Sequence, residues 1–313
     1  MKQIESVVVA FDGESKCGKT TIIKAVAERA GVQATIIPAI QTHAQQGLYD
    51  LGSFTEGTVE KLGFLQEAYG FTHIQTISCG NAFRAATLYK AIREMKGERV
   101  EGFTQQDIDP VRALLKSEGI IDILQEDPNI AEQVSVVGNM PGAQNLGGTL
   151  FCDSVRRAYF KDGGANLVVV DARDPIGHMW RNQLAGQRSD QIHPSAILPV
   201  YIDTSAEASA RRIEGDYEVN YRKVLERRSE DRNHHENPVV RPTEFEKTLN
   251  GWAHQALLAS STSGETVKPY LFDNNIDDPD SLRIKGFANE IAVVAQDVAI
   301  YRHTARAEAA GRA

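Results

Sequence analysis

Residues 13–20 read Gly13-Glu14-Ser15-Lys16-Cys17-Gly18-Lys19-Thr20 and fit the spacing G-x-x-x-x-G-K-[ST]. No other stretch limits the possible folds of this chain so strongly. An apolar, β-branched run at 7–11 comes before it, and a helical run at 20–30, with Gly31 as stop signal, comes after. A strand that turns through glycines into a helix gathers backbone N–H groups and the positive helix end around an anion. Lys19 then supplies a point charge for β- and γ-phosphates, and Thr20 offers a hydroxyl to Mg²⁺. Residues Gly13, Glu14, Ser15, Lys16, Cys17, Gly18, Lys19, Thr20 and Thr21 are the candidate donor-binding set. Lys16 either senses phosphate or faces water. Cys17 is either a small filler or, at a helix start, an acidic thiol open to redox switching.

The rest of the chain alternates strand and helix signals. HIQTISCG at 73–80 reads as a strand, and AFRAATLYKAIREM at 82–95 as a helix with Arg84 on its first turn. A further helix lies between Pro110 and Gly119, and residues 135–150, rich in Gly and Asn, read as loop. LVVVDARD at 167–174 is the clearest buried strand. ILPVYIDTSAEASARRI reads as strand, cap and helix, with Thr204 or Ser205 as cap and Glu207 in the first turn. PYLFDNN supplies a last strand and LRIKGFANEIAVVAQDVAIY a last helix, while the tail HTARAEAAGRA is expected to fray. This alternation predicts a three-layer α/β fold with a mostly parallel central sheet, in one domain spanning 1–313. Ligands bind such sheets at the carboxyl ends of the strands. The segments 12–20, 78–84, 171–174 and 203–205 each follow a strand, so all four fall on one rim.

Composition narrows the partners. The chain has 313 residues, 42% of them hydrophobic, and a formal charge of −8 from 34 basic and 42 acidic residues. It therefore lacks a global basic footprint for nucleic acid, although a local one stays open. Cys17, Cys79 and Cys152 form no CxxC pair, which argues against structural zinc and disulfides and fits a reducing, cytoplasmic setting. The first apolar run reads as a strand and not as a leader, and no run approaches the ~18 residues of a membrane helix.

The chemistry is narrowed by elimination. A guanine-reading Asn-Lys-x-Asp is absent, and the strand VVVD runs into Ala-Arg where a motor ATPase would show Asp-Glu. This favours a small-molecule kinase, in which arginines gather the charge of the transferring phosphoryl group. Three stretches then matter together: ISCGNAFRAATLY, VVVDARDPIG and VLERRSEDRNHHENPVV. With the glycine-rich loop, in this order, they resemble cytidylate kinase, a P-loop enzyme that moves a phosphoryl group from ATP to CMP or dCMP. The family loop is like DGPSGSGKS, against DGESKCGKT here. D-[ST]-G-A-x-Y-R compares with Ser78-Cys79-Gly80-Asn81-Ala82-Phe83-Arg84, and G-R-D with Ala172-Arg173-Asp174. E-R-D-x-R-D-R-N-R compares with the nine residues Glu226 to His234, with Pro238 beyond. The likeness covers residues 5–240 in pieces.

The resemblance implies a P-loop kinase fold with a helical acceptor-binding lobe and a mobile lid at about 211–240. It implies ATP and Mg²⁺ as cofactors and a pyrimidine nucleotide as acceptor. It assigns phosphate contacts to Arg84, Arg173 and Arg227, the acceptor ribose to Asp174, acceptor anchoring to Asp231, ATP-side closure to Arg232 and base reading to Ser135. The chain also departs from the pattern. Cys79 replaces a hydroxyl residue, His234 an arginine, and Gln144 an arginine for the acceptor phosphate. Two insertions, at about 31–72 and 178–196, adjoin the rim, where long loops are functional or lid-like. Donor chemistry is thus expected to be kept and the acceptor site altered. Two further readings stay open: a kinase for the hydroxyl of a hydroxymethyl-pyrimidine base in DNA, flipped from the stack, and a non-catalytic nucleotide-binding regulator. Trp180 can stack on a base, Trp252 reads as packing, and His234-His235-Glu236 does not read as a metal site.

Overall fold

The computed structural model describes residues 5–14, 16–30, 71–117, 119–186, 188, 190–232, 270–275 and 282–311. In chain order these begin with β1 (Val7–Gly13), α1 (19–30), β2 (His73–Ser78) and α2 (Cys79–Met95). There follow α3 (Ile108–Lys116), α4 (Ile120–Glu126), α5 (Pro128–Gly138), α6 (Ala143–Tyr159), β3 (Asn166–Asp171) and α7 (Pro175–Arg181). The last are β4 (Ile197–Asp203), α8 (Ala206–Arg211), α9 (Tyr217–Arg232), β5 (Tyr270–Asp273) and α10 (Leu282–Gly311).

The strands form one sheet in the order β2-β3-β1-β4-β5, and every pairing is parallel. Parallel strands need crossovers, and crossover helices cover both faces. The alternation along β1 shows the result. Val7, Val9 and Phe11 pack on one side with Ile22 and Val26 of α1 and Phe287 and Ile291 of α10. Val8 and Ala10 pack on the other with Phe151 and Val155 of α6 and Met179 of α7. All five β1 residues named here are fully buried, each contributing about 1–3 kcal/mol of transfer free energy according to size. A separate apolar cluster, with Ala85, Val111, Leu146 and Leu150, joins α2, α3, α5 and α6 into a helical lobe beside the sheet. The architecture is therefore α/β in three layers, and the four rim segments do share one edge, because parallel strands end on the same side.

Several local expectations are corrected. Residues 135–150 are helical except for the turn at 139–142, because α5 and α6 cover them. Gly147 and Gly148 sit inside α6, where neighbours need the space of a missing Cβ. A Cβ on Gly147 would lie 2.6 Å from the Phe83 ring, and one on Gly148 would lie 2.7 Å from His178 Nδ1. The helix expected from residue 82 starts at Cys79, so Arg84 lies in its second turn. Helix α10 extends through most of the expected tail, to Gly311. Arg302 ties it down through Glu5, with Nε at 3.0 Å, and through Ser195 Oγ at 3.2 Å. Of the two possible caps, Ser205 serves α8, accepting from the Ala208 N–H at 3.1 Å.

The insertion at 178–196 folds onto the sheet. Leu184, Ala185, Ile192 and Ala196 are buried in the cluster that holds Val8 and Val170, and a backbone bridge joins Ala185 to Ile192. Nearly all of the other insertion, as well as Ser15, Gly31, His234, His235, Trp252 and the lid beyond 232, lies outside the described residues.

Candidate functional site

The glycine-rich loop leaves β1 with Gly13 at φ 139°, Lys16 at φ 62° and Gly18 at φ 88°. Gly13 must be glycine for a second reason: a Cβ there would strike the carbonyl oxygen of Ile202 on β4. Side chains from the neighbouring strand ends brace the loop. The Cys17 carbonyl accepts from Thr204 Oγ1 at 3.1 Å and from Asn274 Nδ2 at 2.7 Å. Lys19 Nζ donates to the Gly13 carbonyl at 2.6 Å and to that of Glu14 at 3.3 Å. Burial works to lower the Lys19 pKa, but the carboxyl groups of Asp171 and Asp12 facing it work to raise it, and the net direction is up. Its ammonium is thus held charged inside the loop.

The loop forms one wall of an open cleft of about 1270 Å³. The cleft runs from residues 16–20 across the ends of β2 and β3 to the helical lobe. Lys16, Lys19, Arg84, Arg173, Arg212 and Arg227 line it, against the single carboxylate of Asp171 among the described lining residues. A chain that is acidic overall has concentrated positive charge in one place, which suits an anionic ligand.

The sequence candidates fall into three groups. Lys16, Cys17, Gly18, Lys19, Thr20, Cys79, Arg84, Ser135, Gln144, Arg173 and Arg227 all line the cleft. Arg227 reaches across it, donating to Ser135 Oγ at 2.6 Å, so α9 and α5 meet there. Gln144 Nε2 donates to the Gly138 carbonyl at 2.8 Å. A second group stands apart. Asp174 caps α7 with a left-handed backbone at φ 48°, accepts from the Gly177 N–H at 3.0 Å and pairs with Arg181 at 2.9 Å. It does not line the cleft, and neither do Trp180 or Thr21. Glu14 is buried, does not line the cleft, and pairs with Arg228 at 2.9 Å. The third group is Asp231 and Arg232, which lie on the last turn of α9; only their backbone is described.

The thiols are not reactive. Burial raises the pKa of Cys17 and pushes that of Cys79 up to about 12, so both stay neutral. This favours the filler reading of Cys17. It also leaves Cys79 a poor hydrogen-bond partner where a hydroxyl was expected.

Sequence reasoning missed four contributors. Asp171 ends the apolar strand β3 beside Lys19, and the run LVVVD was the signal for it. Asp12 is buried, and its carboxyl is pushed up to about 7 by burial, opposed chiefly by Lys19. Arg212 follows α8, lines the cleft and donates to the Asn274 carbonyl, and only the tertiary fold reveals it. Phe83 adds the aromatic wall against Gly147.

The cationic lining and the available oxygens are compatible with a nucleotide carrying Mg²⁺. Among the described residues no three His, Cys, Asp or Glu side chains converge to hold an ion by themselves. Mg²⁺ bound with a nucleotide takes phosphate oxygens plus one or two protein oxygens, and the oxygen-bearing side chains of Thr20 and Asp171 both line the cleft. No model of a known protein family matches this chain, and a search of curated proteins finds no match. The fold and cleft define a three-layer α/β protein with an all-parallel sheet. Among the described residues, no helix is long and apolar enough to cross a membrane.

Proposed function

We propose that the chain is an ATP-dependent phosphotransferase that delivers the γ-phosphoryl group to a pyrimidine nucleotide of the CMP or dCMP type. One observation carries this reading. Lys19 on the loop, Arg84 on α2, Arg173 after β3 and Arg227 on α9 come from four separate elements and line one cleft. In that arrangement cations surround a phosphoryl group from several sides as its charge spreads.

The loop amides and Lys19 hold the donor phosphates. Thr20 and Asp171 are the cleft residues whose oxygens would hold Mg²⁺, and the ion would supply charge neutralisation for the donor phosphates. Arg173 just past β3 and Arg84 in the second turn of α2 would meet the phosphoryl group as it passes from the loop toward the lobe. Arg227 closes the acceptor side by its bond to Ser135. Positioning and charge do most of the work, and a phosphate acceptor needs no general base.

A second reading is transfer to the hydroxyl of a hydroxymethyl-pyrimidine in DNA, and Gln144 favours it. This residue replaces an acceptor-phosphate arginine and spends its amide on Gly138, so the acceptor's own phosphate meets one cation fewer. A hydroxyl acceptor would need a proton sink, and in this reading Asp171, the carboxylate in the cleft wall, takes that role and leaves Thr20 as the protein oxygen available to Mg²⁺. The test is γ-labelled ATP offered with each nucleoside monophosphate and, separately, with hydroxymethylated DNA. Label on CMP or dCMP supports the first reading and label on DNA the second. Nucleotide binding with no transfer to either would leave a regulator that has lost its chemistry.

A further inference from the structure

Glu14 and Arg228 occupy two positions at which the chain departs from the cytidylate kinase pattern. The pattern has proline after Asp-Gly, where Glu14 stands, and aspartate after Glu-Arg, where Arg228 stands. The fold brings these two residues together. Arg228 NH1 lies 2.9 Å from Glu14 Oε2, with the side chains 7% and 9% exposed. The same guanidinium donates to the Thr204 carbonyl at 2.7 Å, to Ser209 Oγ at 2.8 Å and to the Ser205 carbonyl at 3.3 Å. A buried ion pair of this kind gains little over well-packed apolar residues, because desolvation offsets the attraction. Its main consequence is geometric.

Arg228 is fixed in the wall beneath the loop, which sets the roll of α9. The next residue toward the N-terminus, Arg227, is turned by about 100° on a helix of 3.6 residues per turn. It therefore faces the cleft and reaches Ser135 on the far side at 2.6 Å. At the other end of the pair, the Glu14 carbonyl is one of the groups that hold Lys19 Nζ. A single helical turn thus joins the residue that holds the donor lysine to the arginine that closes the acceptor side.

We propose that Glu14 and Arg228 are a positioning pair that couples the phosphate loop to Arg227, so that nucleotide on the loop orders α9. This rests on the reading that the loop holds a nucleotide. The pair touches no reacting atom. Coupling of this kind is reciprocal: ligand on the acceptor side must tighten the donor side by the same factor.

The test is hydrogen exchange in α9, read on the full chain with and without AMP-PNP and Mg²⁺. Each variant is titrated to saturation first by calorimetry. In the wild type, ligand should slow exchange over residues 217–228 about tenfold, a typical coupling factor. The double variant Glu14→Gln with Arg228→Met leaves no orphaned charge, and it should show less than about a twofold effect at saturation. Arg228→Lys, which keeps charge and donors, should restore most of the protection and also covers the case in which the double variant fails to fold. Equal protection in the wild type and the double variant would overturn the proposal, as would an Arg228→Lys protein no better than the double. If the wild type does not bind AMP-PNP, the nucleotide reading fails separately. The pair is then judged on ligand-free exchange: faster exchange in α9 of the double variant supports positioning, and no change overturns it.

Discussion

Lys19 bridges the two ends of its own loop, through the carbonyls of Gly13 and Glu14, with Asp171 and Asp12 facing it. Lys19→Ala should cut phosphoryl transfer by at least about 100-fold, the scale of losing a preorganised charge, and leave the circular dichroism spectrum unchanged. His178 lines the same cleft and is buried against Gly148 and Phe151. Burial, with help from Arg181, lowers its pKa to about 4. The sign follows from linkage. The folded state keeps the imidazole neutral, so its contribution is intact above pH ~6.5 and is lost as pH falls toward 4. Asp12, whose carboxyl is pushed up to about 7, acts in the opposite sense over the same window, so the His178 effect is read as a difference: between about pH 7 and 4 the wild type should lose about 3 kcal/mol of stability relative to His178→Gln in urea titrations. At this scale the glycine-rich loop was legible from local spacing, and the cleft arginines Arg84, Arg173 and Arg227 from the family resemblance. The sequence could not reveal that Asp174 is spent on capping α7, that Arg212 enters the cleft, or that Asp12 is buried. Those facts depend on contacts between residues far apart in the chain.

The elements carry a different lesson. Residues 135–150 look like loop because glycine and asparagine are breakers, yet most of them lie in α5 and α6. Glycine lowers helix propensity by about 1 kcal/mol, but close packing of a neighbour overrides that cost. Gly147 shows how, since the Phe83 ring fills the place of its Cβ. Gly147→Ala should therefore destabilise the protein by about 1–3 kcal/mol in denaturant unfolding, despite alanine being the better helix former. Adding Phe83→Leu should recover much of the loss, giving a coupling energy that two independent sites would not show. The strands were legible for the opposite reason. Runs such as VVVAF and LVVVD are buried on both faces, so composition and location agree.

Over the whole molecule, the rim is a consequence of the sheet. With β1 between β3 and β4 and all strands parallel, the loop, Arg173 and the β4 turn must emerge side by side. The C-terminal helix shares in this, because α10 packs Ile291, Ala292 and Ala295 against the β1 face of the core. Ile291 is fully buried, so Ile291→Ala should cost about 2–5 kcal/mol in denaturant unfolding although it lies far from the cleft in sequence. The three-layer plan was readable from the alternation of strand and helix. A helical lobe was expected only through the family resemblance, and the packing of 178–196 onto the core was not readable at all, since both are set by which apolar faces meet after folding. If the cleft joins nucleotide on the loop to an acceptor on the far wall, ADP formation from MgATP by the full chain, measured with and without CMP or dCMP, reads it out. Acceptor should raise ADP formation well above background hydrolysis, with one labelled acceptor molecule formed per ADP, and Lys19→Ala should abolish both. ADP formation at the same rate with and without acceptor, and no label leaving ATP for CMP, dCMP or hydroxymethylated DNA, would overturn the phosphotransferase reading.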